Sequence, residues 1–202
     1  MAAKCTRRLI WVPIIHTQAD LGSMTGPVRE AYIRRMGRVQ FDRHVKMVAG
    51  LWQTIRREID GLDLPWGQVR LYQDGLPAGG HEVEIVRDLA EAGSPNHRLL
   101  ADLMARGATI TGTESPDLLV EEYKLAQQTL APPDATKLKA PAGRLKAVGR
   151  RLLDQRDAFI AGRIAETLEP GRTGLVFLGM LHSLSGRLPP DIEVRQLARR
   201  HD

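Results

Sequence analysis

Four short apolar runs, at Arg8–Ile15, Gln68–Gln73, Ala108–Thr113 and Gly174–Gly179, are separated by long stretches with helical periodicity rather than by tight turns. No other feature constrains the fold as strongly. Strands joined through helices cannot pair as hairpins, so they lie parallel, with helices over the faces and right-handed crossovers between them. A further short run, Ile192–Val194, suits an edge strand. The expected architecture is a single α/β domain over 1–202, with a mostly parallel sheet of four to five strands flanked by helices. The length of 202 residues is ample for one such core, and an aromatic content of 4% leaves Leu, Ile, Val, Ala and Met to fill it.

Turn and cap residues mark the helices. After a loop at Gly22–Gly26, Pro27 suits a first helical turn, where its missing N–H does no harm. An apolar stripe runs through Val28, Tyr32, Met36 and Val39 and resumes in a new phase at Phe41, Val45, Val48, Trp52, Ile55 and Ile59, so a kink is expected near Gly37. Asp74-Gly75 reads as a turn after the second strand. A helix over Glu82–Ala92 stops at Gly93, and Ser94-Pro95 caps the next, Asn96–Ala105. Ser115-Pro116 repeats that cap pattern after the third strand. The Pro-, Ala- and Lys-rich stretch 131–143 reads as a mobile connection, followed by a long helix from about Arg144 to Leu168.

Composition removes several classes. The one cysteine, Cys5, cannot form an internal disulfide, which points to a reducing compartment and away from a cysteine metal site. The run Leu9–Ile15 is too short for a leader and contains Pro13, and no segment reaches the length of a membrane span, so a cytoplasmic location is expected. Net charge is +5, with basic residues between Lys137 and Arg163 and at Arg195, Arg199 and Arg200. Nucleic acid would use such charge, but no helix-turn-helix, zinc-finger or RNA-binding signature accompanies it, and a solvated helix face is the simpler reading.

Ligands of open α/β sheets bind beyond the carboxyl ends of the strands. The residues just after each run therefore form one candidate set: His16, Thr17, Gln18 and Asp20 after the first; Gln73 and Asp74 after the second; Thr113 and Glu114 after the third; His182 and Ser183 after the fourth. Each has an ordinary alternative. His16 could bond a backbone carbonyl in the core, Asp20 and Asp74 could serve turns, Glu114 could face a helix N-terminus, and His182 could lie on the surface. Their coincidence at one sheet edge favours a site. Arg156 falls inside the apolar stripe of the long helix, between Leu152 and Ile160. A guanidinium there either reaches solvent or needs a carboxylate or anionic ligand. Asp157, adjacent on the same helix, does not face it. Glu82 and Glu84 suit a solvated first turn. Patterns for dinucleotide or P-loop binding, the GxSxG elbow, HExxH, CxxC and CxxCH are all absent from the sequence.

The segment Arg156-Asp157-Ala158-Phe159-Ile160-Ala161-Gly162-Arg163-Ile164, then Leu168, Gly171 and Leu175-Val176-Phe177-Leu178-Gly179-Met180-Leu181-His182, resembles the signature of the TraB/TIKI and erythromycin-esterase/ChaN-like superfamily. Its members carry an Arg-Asp or Arg-Asn helix start, a small-residue turn, a buried strand and Gly-x-x-His. His16 after the first strand and Thr113-Glu114 after the third are similar to the superfamily's N-terminal histidine and central acidic position. Ile14-Ile15-His16-Thr17 departs from its Gly-Glu-x-His or Gly-x-x-His form. The match is specific over about thirty C-terminal residues and loose elsewhere. The resemblance implies an α/β fold and one of several activities: metal-dependent proteolysis, lactone hydrolysis by histidine and glutamate, or haem binding.

Three functions follow as expectations. In a hydrolase of a small-molecule or peptide substrate, His16, Glu114, His182 and Arg156 would be the catalytic set. His16, His182, Glu114, Asp20 and Asp74 would supply ligands for a divalent Zn²⁺, Mn²⁺ or Fe²⁺, with Arg156 holding a substrate anion or orienting a carboxylate. Without a metal, a histidine would act as general base. The alternatives are a haem- or anionic-ligand-binding protein and a basic protein that binds a partner or nucleic acid. A homodimer is compatible with each.

Overall fold

A computed structural model describes residues 6–130 and 142–197. Cys5, Lys137, Arg199, Arg200 and most of the 131–143 connection lie outside the described residues. The strands are β1 (Arg7–Ile14), β2 (Val69–Pro77), β3 (Thr109–Glu114), β4 (Thr173–Gly179) and β5 (Ile192–Gln196). They form one all-parallel sheet in the order β3-β2-β4-β1-β5, as the alternation of strand and helix requires. Six α-helices surround it among the described residues: α1 (Thr25–Met36), α2 (Arg38–Asp60), α3 (Glu82–Glu91), α4 (Pro95–Ala105), α5 (Pro116–Leu130) and α6 (Ala142–Thr167).

Side-chain alternation along the strands assigns the helices to the two faces. Val12, Ile14, Leu71, Leu175 and Phe177 pack with Val48, Trp52, Ile55 and Ile59 of α2, Val86 of α3 and Leu99, Leu100 and Leu103 of α4. Leu9, Tyr72, Val176 and Leu178 pack on the opposite side with Ile160 and Ile164 of α6 and with Leu168 just beyond it. Each fully buried aliphatic side chain contributes roughly 1.5–3 kcal/mol, so a strand such as β4 that is covered on both faces must be apolar at successive positions. β5 buries only its first residue, as an edge strand can.

The break near Gly37 is present, separating α1 from α2. Ser94 caps α4, accepting the N–H of His97 at 3.1 Å. Two expectations are corrected. The stretch before Pro27 is not a plain loop: a 3₁₀ helix, Gln18–Met24, runs into α1. Asp74-Gly75 does not end the second strand, which continues to Pro77 through a register shift against β3. Gly75 adopts φ 77°, so the turn-forming pair survives as an irregularity inside a strand that pairs with β3 before and after it. No helix among the described residues is long and apolar enough to cross a membrane.

Candidate functional site

Parallel pairing brings the carboxyl ends of β3, β2, β4 and β1 to one edge in that spatial order, and with them Glu114, Asp74, the β4 loop bearing His182, and His16. Asp74 is the hub. Its Oδ2 accepts the Gly179 N–H at 2.9 Å and lies 3.1 Å from His16 Nε2 and 3.4 Å from His182 Nε2. Its Oδ1 accepts from an Arg156 terminal nitrogen at 2.8 Å. A Cβ on residue 179 would come within 2.9 Å of Asp74 Oδ2, so only glycine lets that backbone N–H approach. The Trp52 indole donates to the Ile15 carbonyl at 3.0 Å and pins the backbone just before His16.

Arg156 does not reach solvent. It points from α6 into the edge of the sheet, as the carboxylate requirement of a buried guanidinium demands. Its Nε and one terminal nitrogen donate to the two oxygens of Glu114 at 3.2 and 2.5 Å, and its other terminal nitrogen donates to Glu122 Oε1 at 2.5 Å. Arg156 and Asp157 lie mid-way along α6 rather than at a helix start. Asp157 takes a role of its own. Its Oδ1 lies 2.6 Å from His182 Nδ1, and its Oδ2 accepts the Ser183 N–H at 3.0 Å. Asp157 and Glu122 are the two functional positions missed in the sequence. Asp157 had a visible signal, since it shares a helical row with Ile160, Ala161 and Ile164.

Asp20 does not join this cluster. Its Oδ2 accepts from the Thr17 N–H and hydroxyl at 2.6 and 2.9 Å, while its Oδ1 takes the Ser94 hydroxyl at 2.5 Å and lies 3.2 Å from His97 Nδ1. It thus ties the 3₁₀ helix that follows His16 to the start of α4. Glu82 is half-buried on the first turn of α3, where it accepts the Gly79 N–H at 3.1 Å and lies close to Gly112 of β3, whereas Glu84 is exposed, as a solvated first turn suggests.

The electrostatics follow from these contacts. Burial opposes ionisation of Asp74, but the hydrogen bonds and charges of His16 and His182 outweigh it and hold the carboxyl well below its usual range. Burial would likewise lower His182, yet Asp74 and Asp157 together raise it to about 9, so the ring carries a proton on both nitrogens at neutral pH. His16 is also raised, by Asp74 against the effect of burial. Burial pushes the Glu114 carboxyl up despite Arg156.

A cavity of about 600 Å³ opens onto this network. Most of the charged groups around it are closed off: side-chain exposure is 4% for Asp74, 5% for Arg156 and His182, and 2% for Asp20, against 34% for His16 and 47% for Glu122. Apolar walls rise from Met24, Val28, Leu119, Tyr123, Leu153 and Met180.

Asp74, Glu114 and His182 each offer one ligand atom, and these lie within 4.8 Å of one another, so this buried group could hold a metal ion. His16 and Asp20 are not part of that group. The mixed N/O donor set is of a kind that divalent transition metals accept. Arg156 engages one oxygen of Asp74 and both of Glu114, and His182 would have to lose a proton to bind. No protein-family model, curated protein or solved structure matches the chain.

Proposed function

We propose that the chain is a hydrolase in which His16 activates water as a general base. One observation carries this reading: of the two imidazoles that meet Asp74, only that of His16 is open to the cavity. With the Nε2 proton directed at Asp74, Nδ1 is the basic nitrogen. Nδ1 would take a proton from water as the water oxygen attacks a carbonyl carbon of a small-molecule or peptide substrate, and would return it to the leaving oxygen or nitrogen as the tetrahedral adduct collapses and its bond to that carbon breaks. The imidazolium so formed is stabilised by ionised Asp74, whose charge is held by the Gly179 N–H, Arg156 and His182. His182 is fixed between two carboxylates, and serves as a retained positive charge rather than as a base. Two of the three activities implied by the resemblance to the TraB/TIKI and erythromycin-esterase/ChaN-like superfamily, proteolysis and lactone hydrolysis, belong to this reaction class.

General base catalysis of this kind contributes about 10²–10⁴ in rate. His16→Gln should lower hydrolysis of a panel of carboxylic esters and lactones by that factor. Wild-type activity should rise with pH along a limb displaced above the ordinary histidine value, because Asp74 raises His16. Full activity in His16→Gln would overturn the assignment.

The grouping of Asp74, Glu114 and His182 favours a second reading, a metal-dependent hydrolase with Zn²⁺, Mn²⁺ or Fe²⁺. A metal there supplies a more acidic water and polarises the substrate oxygen. Elemental analysis of protein purified without chelators separates the two. The metal reading requires near-stoichiometric metal that is lost in His182→Ala and kept in His16→Ala; the general-base reading requires hydrolysis that survives chelation. Haem is supported less well. Nε and both terminal nitrogens of Arg156 are engaged by carboxylates, so among the described residues no arginine of the cavity is open to a propionate. For the nucleic-acid reading, Arg144, Lys146, Arg150 and Arg151 are exposed along α6, which also fits a solvated helix face.

A further inference from the structure

We propose that the cavity takes an amphiphilic cation: an apolar body bearing a protonated amine or quaternary ammonium group, bound by Glu122. The proposal names the substrate class for the hydrolase reading and rests on that reading only for the reaction. The cavity itself carries the binding argument.

A ligand entering it meets few polar groups. Asp20, Asp74, Arg156 and His182 line the cavity but are nearly closed, and their bonds are made among themselves and with neighbouring residues. The accessible charged side chains are His16, which is the proposed base, and Glu122. Glu122 uses Oε1 for Arg156, and its Oε2 makes no hydrogen bond among the described residues. Among the described residues no lysine lines the cavity, and the one arginine that does is surrounded by Asp74, Glu114 and Glu122. An anionic head would face a half-exposed carboxylate, with no free guanidinium or ammonium among the described lining residues to receive it and with the His16 ring already paired to Asp74. A cationic head would be complementary: a protonated amine would donate to Oε2, a quaternary ammonium would be held by the carboxylate's charge alone, and Tyr123, next in sequence and also lining the cavity, offers an aromatic ring to either. The remaining lining is apolar, with Met24, Val28, Leu119, Leu153, Met180 and Leu181 surrounding a volume in the range of small-molecule sites.

The test uses two probes of equal chain length, decyltrimethylammonium and decanoate, titrated into the full chain below their aggregation concentrations. The ammonium should bind at least tenfold tighter than the carboxylate, with the difference shrinking as salt is added. Glu122→Gln should abolish the preference. Glu121→Gln, an exposed neighbour on α5 outside the cavity, should leave it intact and controls for surface charge. A thermal melt of each variant separates loss of binding from loss of fold. Equal affinity for the two probes, tighter binding of decanoate, or an unchanged preference in folded Glu122→Gln overturns the proposal. His16→Gln should retain ammonium binding. Binding without hydrolysis of any ester would sink the hydrolase reading and leave this one standing; hydrolysis without ammonium preference would do the reverse.

Discussion

The floor of the cavity and its walls are built on opposite principles. At the strand ends, Asp74, Glu114, Arg156, Asp157 and His182 are all buried and hold one another in fixed charge states. Above them, α1 and α5 bury no residue, although both contribute side chains to the cavity. In the floor, every group is desolvated, so each depends on its partner, and loss of one leaves another charged and unpaired. In the walls, apart from the buried Met24, the apolar side chains of Val28, Leu119, Leu153, Met180 and Leu181 are partly or largely exposed, contribute little to stability and can be exchanged at small cost. Under the proposed function, this arrangement separates the chemistry, in the mutually dependent floor, from the fit to a ligand, in the walls.

The sharpest attack on that contrast is Arg156→Met. It leaves Asp74 and Glu114 buried without their cation and should cost about 3–5 kcal/mol in denaturant unfolding. A loss below 1 kcal/mol would mean that the floor is not a mutually dependent network. Next in size is the response to alkali. The folded value of His182, about 9, lies above its unfolded value of 6.5, so the stability it contributes is complete below about pH 6.5 and disappears as pH rises through 9. The melting temperature should fall by several degrees across that window, and His182→Gln should remove that part of the fall. Asp74 acts in the other direction: its lowered value gives stability that is present above its ordinary range and lost in acid.

A smaller effect tests the support around the floor. Ser94→Ala removes both the cap of α4 and the hydroxyl bonded to Asp20, and should cost about 1 kcal/mol, with reduced activity through a less well-fixed His16. The smallest change belongs to the walls. Leu181→Ser, at a position 83% exposed on the cavity rim, should shift stability by no more than about 0.5 kcal/mol while raising KM for apolar esters several-fold. Should it destabilise the chain as Arg156→Met does, floor and walls would not be distinct.

Much of the fold was legible because it rests on local patterns. Val12 and Ile14 alternate with Leu9 and Trp11, Phe177 alternates with Val176 and Leu178, and Ser94-Pro95 forms the expected cap. The local errors have local causes. Asp74-Gly75 carries the dipeptide signal of a turn and Gly75 keeps a turn-like φ of 77°, but β2 pairs with β3 both before the pair, at Gln73, and after it, at Pro77, so the strand continues through it. Thr17 and Asp20 have the spacing of a capping box, a signal that could have revealed the 3₁₀ helix. Arg156 was readable as a buried charge in search of a carboxylate. Its neighbour Asp157 was rightly set aside as its partner, yet adjacent helix positions diverge by about 100°, and that divergence sends Asp157 to His182.

By itself, then, the chain's pattern of apolar and polar residues determined a parallel sheet with its polar groups gathered at one edge, because hydrophobic periodicity and capping act over a few residues. Tertiary structure alone decided the pairings. The insertion of β4 between β2 and β1 makes Asp74 the carboxylate shared by His16 and His182, leaves Glu114 to Arg156, and opens one imidazole to the cavity while closing the other. Strand order depends on how distant segments pack, and no short-range pattern encodes which neighbours will meet.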